Sequence, residues 1–173
     1  MAAKINFEKS ILSKRIIYDI TPLKIIEIIG DYFFGVLFII AGLLVFMHEI
    51  TDRYQQSVFL ILLSGILTSY MATGCYLMTK LLKIEGTDID KNRDQVVALI
   101  KRKYPKLVIY PGQRIIIAER EHKYIAFDRK IIVVLDDRDL YINSCTIGRA
   151  DSKLMFMAVP NYIRCKALAK EFR

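Results

Sequence analysis

Two uncharged runs constrain this chain more than any other feature. Tyr32 to Met47 holds 16 consecutive residues without a formal charge, and Val58 to Met78 holds 21. A hydrocarbon core roughly 30 Å thick takes about 20 helical residues to cross. The second run is long enough alone. The first covers about 24 Å at the helical rise, so it needs flanking residues or a thinned bilayer. Its extension "TPLKIIEIIGD" supplies them: Thr21 suits an N-cap, Pro22 the first helical position, and Ile25, Ile26, Ile28 and Ile29 continue the apolar character. One helix from Pro22 to about Met47, bent at Gly30, is expected. The run starts late for a signal peptide and no small-x-small pattern follows "FMHEI", so both segments read as retained spans. The short connector "HEITDRYQQ" makes them an antiparallel hairpin.

Basic residues set the orientation. Residues 1–30 carry Lys4, Lys9, Lys14, Arg15 and Lys24, and the connector carries only Arg53. Residues 80–173 carry 20 Lys and Arg against 12 Asp and Glu, a net of +8. Both termini are therefore expected on the cytoplasmic side. Cys75, Cys145 and Cys165 are far apart and read as buried small residues, not as a disulfide framework or metal motif.

The expected fold class is an α+β membrane protein: a transmembrane helical hairpin plus a cytoplasmic antiparallel β-meander flanked by helices. Residues 1–21 form an N-terminal interfacial segment, 22–83 the hairpin with spans at about 30–48 and 57–79, and 84–173 the soluble domain. In the last, Asp90 or Asn92 is expected to cap a helix in which Val96, Val97, Leu99, Ile100 and Tyr104 recur at helical spacing up to Pro105. The runs "KLVIY", "RIIIA", "KYIAF", "KIIVVL", "LYINSCTI" and "LMFMAV", separated by turn-like stretches, predict five or six strands. They are apolar on both faces, which calls for cover on each. A last helix from Pro160 is expected to pack through Ile163, Ala167, Leu168 and Phe172. For the N-terminal stretch, an interfacial helix with Ile5, Leu12, Ile16 and Ile20 on one side is favoured over strands "INF" and "RIIYDI".

Catalytic constellations are sparse. His48 and His122 are expected at opposite ends of the molecule, where they cannot share a metal or a triad. Asp136, Asp137 and Asp139 stand where a hairpin turn is needed. No metal site, no cofactor and no enzymatic activity are expected. The basic clusters Lys101, Arg102, Lys103, Lys106 and Arg164, Lys166, Lys170, Arg173 point to the anionic leaflet, or to an RNA, nucleotide or acidic-protein partner.

In the second span Ser64, Gly65, Thr68, Ser69, Ala72 and Thr73 spread small and hydroxylated side chains over about half of the helix. Gly35 and Gly42 of the first span are the natural packing partners. One partner helix covers less than half of a helix, so the surplus is expected to meet other copies of the chain or a water-filled lumen. Glu27, Asp31 and Lys80 would then line the cytoplasmic mouth, where acids favour cations.

A hairpin at 32–47 and 58–78 followed by a basic domain at 106–173 resembles membrane effectors and accessory proteins of bacterial antiviral systems. These include small membrane proteins encoded beside RNA-targeting CRISPR effectors and hairpin-plus-β-barrel effectors of cyclic-nucleotide signalling. The resemblance implies a self-assembling protein that forms a membrane pore or perturbs the membrane. A meander followed by a C-terminal helix is also similar to bacterial pleckstrin-homology-like domains, which implies a tethered scaffold recruiting a protein or anionic lipid.

Overall fold

A computed structural model describes residues 5–19, 21–51, 58–120, 127–148 and 153–172. The protein is mixed α+β, with two long apolar helices standing on a five-stranded antiparallel sheet. Helix α1 spans Phe7–Ser13, α2 Pro22–Thr51 and α3 Val58–Leu77. Strand β1 (Leu82–Glu85) precedes α4 (Ile89–Lys103), and β2 (Val108–Pro111), β3 (Ile115–Glu119), β4 (Asp128–Leu135) and β5 (Asp139–Ile147) follow. A 3-10 turn at Met155–Met157 leads into α5 (Ala158–Phe172).

Helix α2 runs unbroken through Gly30, where an added Cβ would meet nothing within 4 Å. By length and composition α2 and α3 both suffice to cross a membrane.

The sheet order is β1-β5-β4-β3-β2. Strands β2 to β5 form the expected meander, and α4 carries the chain from one sheet edge to the other. Strand β1, which straddles the expected division between 22–83 and 84–173, pairs with β5 from Leu82 opposite Ile142 to Glu85 opposite Asp139. The expected strand "KYIAF" falls on 123–127, of which only Phe127 is described. The expected strand "LMFMAV" is instead the 3-10 turn and the start of α5. There Met155, Ala158, Asn161, Cys165 and Leu168 are buried at intervals of three and four, a helical period.

Strand alternation gives the sheet two apolar faces, each covered. On one, Ile116, Ala118, Ile131, Val133, Leu135 and Ile142 pack with Val96, Leu99 and Ile100 of α4 and Cys165 and Leu168 of α5. Burial raises the Cys165 thiol pKa to about 12, which leaves it a neutral core side chain. On the other face Ile132, Val134 and Tyr141 pack with Ile5, Ile16 and Leu81.

The N-terminal segment is neither one long helix nor a pair of strands. Asn6 caps α1 by accepting from the Lys9 N–H, and Lys14 ends it in the left-handed region at φ 53°. Extended backbone on either side pairs Ile5 with Tyr18 and Arg15 with Lys80. Ile5 and Ile16 are thereby buried, whereas Leu12 is 84% exposed.

Two local expectations are corrected. The cap of α4 is Asp88, in extended conformation; Asn92 is fully buried one turn in, accepts from the Thr87 N–H and donates to the Arg138 carbonyl. Gly86 is needed beside it, because a Cβ there would overlap the Asn92 amide. The packing stripe of α5 is also rotated: Ile163 is 61% exposed and Ala167 exposed, while Asn161 faces the sheet and bonds Thr146. That hydrogen bond fixes the helix rotation.

Candidate functional site

The hairpin seam repeats every three or four residues on both helices, the spacing of knobs-into-holes packing. On α2 the less exposed positions include Tyr32, Gly35, Ile39, Gly42 and Phe46; on α3 and just beyond it they include Ser64, Thr68, Met71, Cys75 and Met78. Antiparallel pairing sets Gly35 against Cys75, Gly42 against Thr68 and Phe46 against Gly65. A Cβ on Gly42 would overlap the Thr68 hydroxyl, so glycine is what lets the backbones approach here.

The small-residue stripe of α3 therefore divides. Ser64 and Thr68 belong to the seam. The Ser64 hydroxyl donates to the Ile61 carbonyl at 3.0 Å, and Thr68 Oγ1 is buried without a hydrogen-bond partner. Ser69, Ala72 and Thr73 are exposed, and Thr73 donates to the Ser69 carbonyl at 2.8 Å. Gly65, Ser69 and Thr73 line an open groove of 550 Å³ that Phe46, Ile61 and Val159 wall. About half of the stripe thus holds the hairpin together and half remains outside it.

Apolar side chains surround the rest of both helices. Phe33 is 56% exposed, Leu44 66%, Phe59 70% and Ile66 68%. In water so much contiguous apolar surface is unfavourable.

Among the described residues, several contacts attach the hairpin to the domain. Met155 inserts into a notch between Gly35 and Gly74. The Tyr70 hydroxyl donates to the Phe156 carbonyl at 2.6 Å. Asp31 accepts from the Lys153 N–H at 2.9 Å. Of the other residues expected at the inner edge, Lys80 stands 4.9 Å from the Tyr76 ring centroid and 5.5 Å from that of Tyr162, and Glu27 is exposed on α2.

The two basic clusters, far apart in sequence, meet where α4 and α5 end. Arg102 and Lys103 both reach Glu171 of α5. Hydrogen bonding to Lys103, with the charge of Lys103 and Arg102 behind it, holds the Glu171 carboxyl below its usual range. Arg102 and Lys103 are in this way partly neutralised inside the molecule. Lys101, Lys106 and Lys170 are exposed, Lys166 lies 5.2 Å from the Tyr162 ring centroid, and Arg173 is outside the described residues. Arg164 donates to the Asn161 side chain at 3.2 Å.

Among the described residues no group of three His, Cys, Asp or Glu side chains is placed to hold a metal. Comparison with protein-family models, curated proteins and solved structures finds no match. Sequence reasoning missed Met155, read as a strand residue, and Arg129, read with Asp128 as a turn before β4 though both stand inside that strand. Ser144 and Thr146, alternate polar positions in an otherwise largely apolar strand, were the available signal for a polar corner on one face of that sheet.

Proposed function

We propose that the protein is a non-enzymatic membrane protein, inserted through its α2–α3 hairpin, that self-assembles and perturbs the bilayer. The observation supporting this reading is the apolar surface of the hairpin. Its two helices, of 30 and 20 residues, present large hydrophobic side chains around their circumference, broken by one hydroxylated groove. Lipid covers the apolar part at no cost in hydrogen bonds, because helices satisfy their own backbone. The Gly65, Ser69 and Thr73 groove takes a helix of a second copy, as small residues do in membranes. The cationic surplus of residues 80–173 orients the domain to the cytoplasmic side. The antiviral setting comes from the architectural resemblance alone.

Reconstitution tests the reading. The chain is expected to remain with vesicles after alkaline carbonate extraction, to run larger than a monomer in detergent, and to release a trapped dye. Ser69→Leu or Thr73→Leu is expected to reduce assembly and release together. A carbonate-extractable chain refutes insertion. A stable monomer that leaves the dye inside refutes assembly and favours the tethered scaffold.

A further inference from the structure

At the corner where β4 begins and β5 ends, polar side chains collect on the sheet face that α4 and α5 cover. Arg129 and Thr146 are directly opposed in the antiparallel register, so their side chains stand on the same face about 5 Å apart at Cβ. Asn161 of α5 donates to Thr146 Oγ1 at 3.0 Å, and its Oδ1 accepts from Arg164 Nη1 at 3.2 Å. Ser144 lies two residues before Thr146, on the same face. The Arg129 guanidinium carbon sits 4.7 Å from the ring centroid of Tyr104 at the end of α4. The strand register and these hydrogen bonds thus place Arg129 and Arg164, from different elements, at one corner.

Among the described residues neither Arg129 nor Arg164 is in an ion pair with a carboxylate, whereas neighbouring Arg120 and Lys130 pair with Asp128 and Glu119. Arg129 Nε is buried with no acceptor. Ser144, 6% exposed, has a hydroxyl with no partner. A buried donor without an acceptor is unfavourable, and natural proteins contain few. Arg129 and Arg164 themselves are half-buried, so the corner is open to solvent on one side.

We propose that this corner binds a phosphate group. Two guanidinium forks suit the several oxygens of a tetrahedral phosphate, which takes parallel N–H donors and a double negative charge together. The Ser144 hydroxyl adds a neutral donor, and among the described residues no carboxylate is paired with either guanidinium. The Tyr104 ring backs Arg129 and fixes the plane of its fork. The site lies in the soluble domain and is independent of the hairpin's role. The phosphate comes either from a small soluble compound or from a lipid headgroup.

Full-length protein in detergent tests this with inorganic phosphate, pyrophosphate and short-chain phosphatidic acid, against sodium chloride at equal ionic strength. Thermal unfolding and phosphorus NMR linewidths provide the readouts. The wild type is expected to show a saturable rise in Tm and line broadening with at least one of the three. Response to inorganic phosphate or pyrophosphate identifies a soluble source, and response to phosphatidic acid alone a headgroup. Arg129→Gln and Arg164→Gln are each expected to weaken the response at least about tenfold, with Lys170→Gln unchanged. Arg129→Lys, which keeps the charge but loses the fork, guards against a folding artefact and is expected to fall between. The absence of saturable binding to all three probes overturns the proposal, as does equal binding by wild type and both glutamine variants.

Discussion

Gly35 and Gly74 both face Met155, yet the structure assigns them different tolerances. A Cβ on Gly35 would overlap the Sδ and Cε atoms of Met155, the free end of a flexible side chain that can rotate away. A Cβ on Gly74 would stand 2.8 Å from the Met155 backbone carbonyl, which can move only with the whole turn. Gly74→Ala is therefore expected to cost about 1–3 kcal/mol, the range for overpacking a filled site, and Gly35→Ala less. Met155→Ala is expected to relieve the Gly35→Ala strain and to leave that of Gly74→Ala largely in place. Denaturant titrations in detergent micelles on the three single and two double variants measure the coupling directly. Equal costs at the two glycines would show that the turn moves as freely as the side chain.

Between elements, α4 and α5 are joined at their C-terminal ends by Glu171, which meets Arg102 and Lys103. Because the folded state lowers the Glu171 pKa, the stabilisation is present above the ordinary glutamate range and is lost as pH falls through the folded value. Glu171→Gln is expected to flatten the acid side of the pH–stability curve while leaving the neutral-to-alkaline side shaped as in the wild type; parallel curves would rule the contact out as a pH-dependent tie. The wild-type tie was invisible in the sequence because its partners are 68 and 69 residues apart. The same reason hid strand β1: "LKIE" is four residues long, and its partner β5 lies beyond α4 and three other strands. The hairpin, the α4 period and strands β2 to β5 were legible because each carries its own signal within a dozen or two residues. The rotation of α5 was not, since a polar residue, Asn161, occupies a core position and apolar Ile163 does not. The stripe on α3 was legible as a composition, but only its neighbours separate Ser64 and Thr68, used inside the hairpin, from Ser69 and Thr73 outside it. The Arg129 corner draws on β4, β5, α4 and α5, and no local pattern could assemble it.

At the scale of the whole molecule, the hairpin and the sheet are held as one body by bonds clustered where α3 ends. Helix C-termini leave backbone carbonyls without partners. Here Asn143, inside β5, donates its amide to the carbonyls of Lys80 at 2.8 Å and Met78 at 3.4 Å. The Ile16 N–H donates to the Thr79 carbonyl at 2.8 Å, and the Leu81 N–H to that of Lys14 at 2.9 Å. The sheet and the N-terminal segment thus share the task of terminating α3. Asn143→Ala removes the donor but leaves the carbonyls in place, so it is expected to cost about 1–3 kcal/mol for the unpaired groups. The loss should be local before it is global. Amide hydrogen exchange is expected to quicken at Met78 to Leu82 and in β5 near residue 143, while the middle of α4, which packs on the opposite sheet face, keeps its protection. Uniform acceleration across the domain would mean that Asn143 supports the core as a whole; acceleration confined to the α3 exit would make it the joint through which the sheet and the hairpin act on each other.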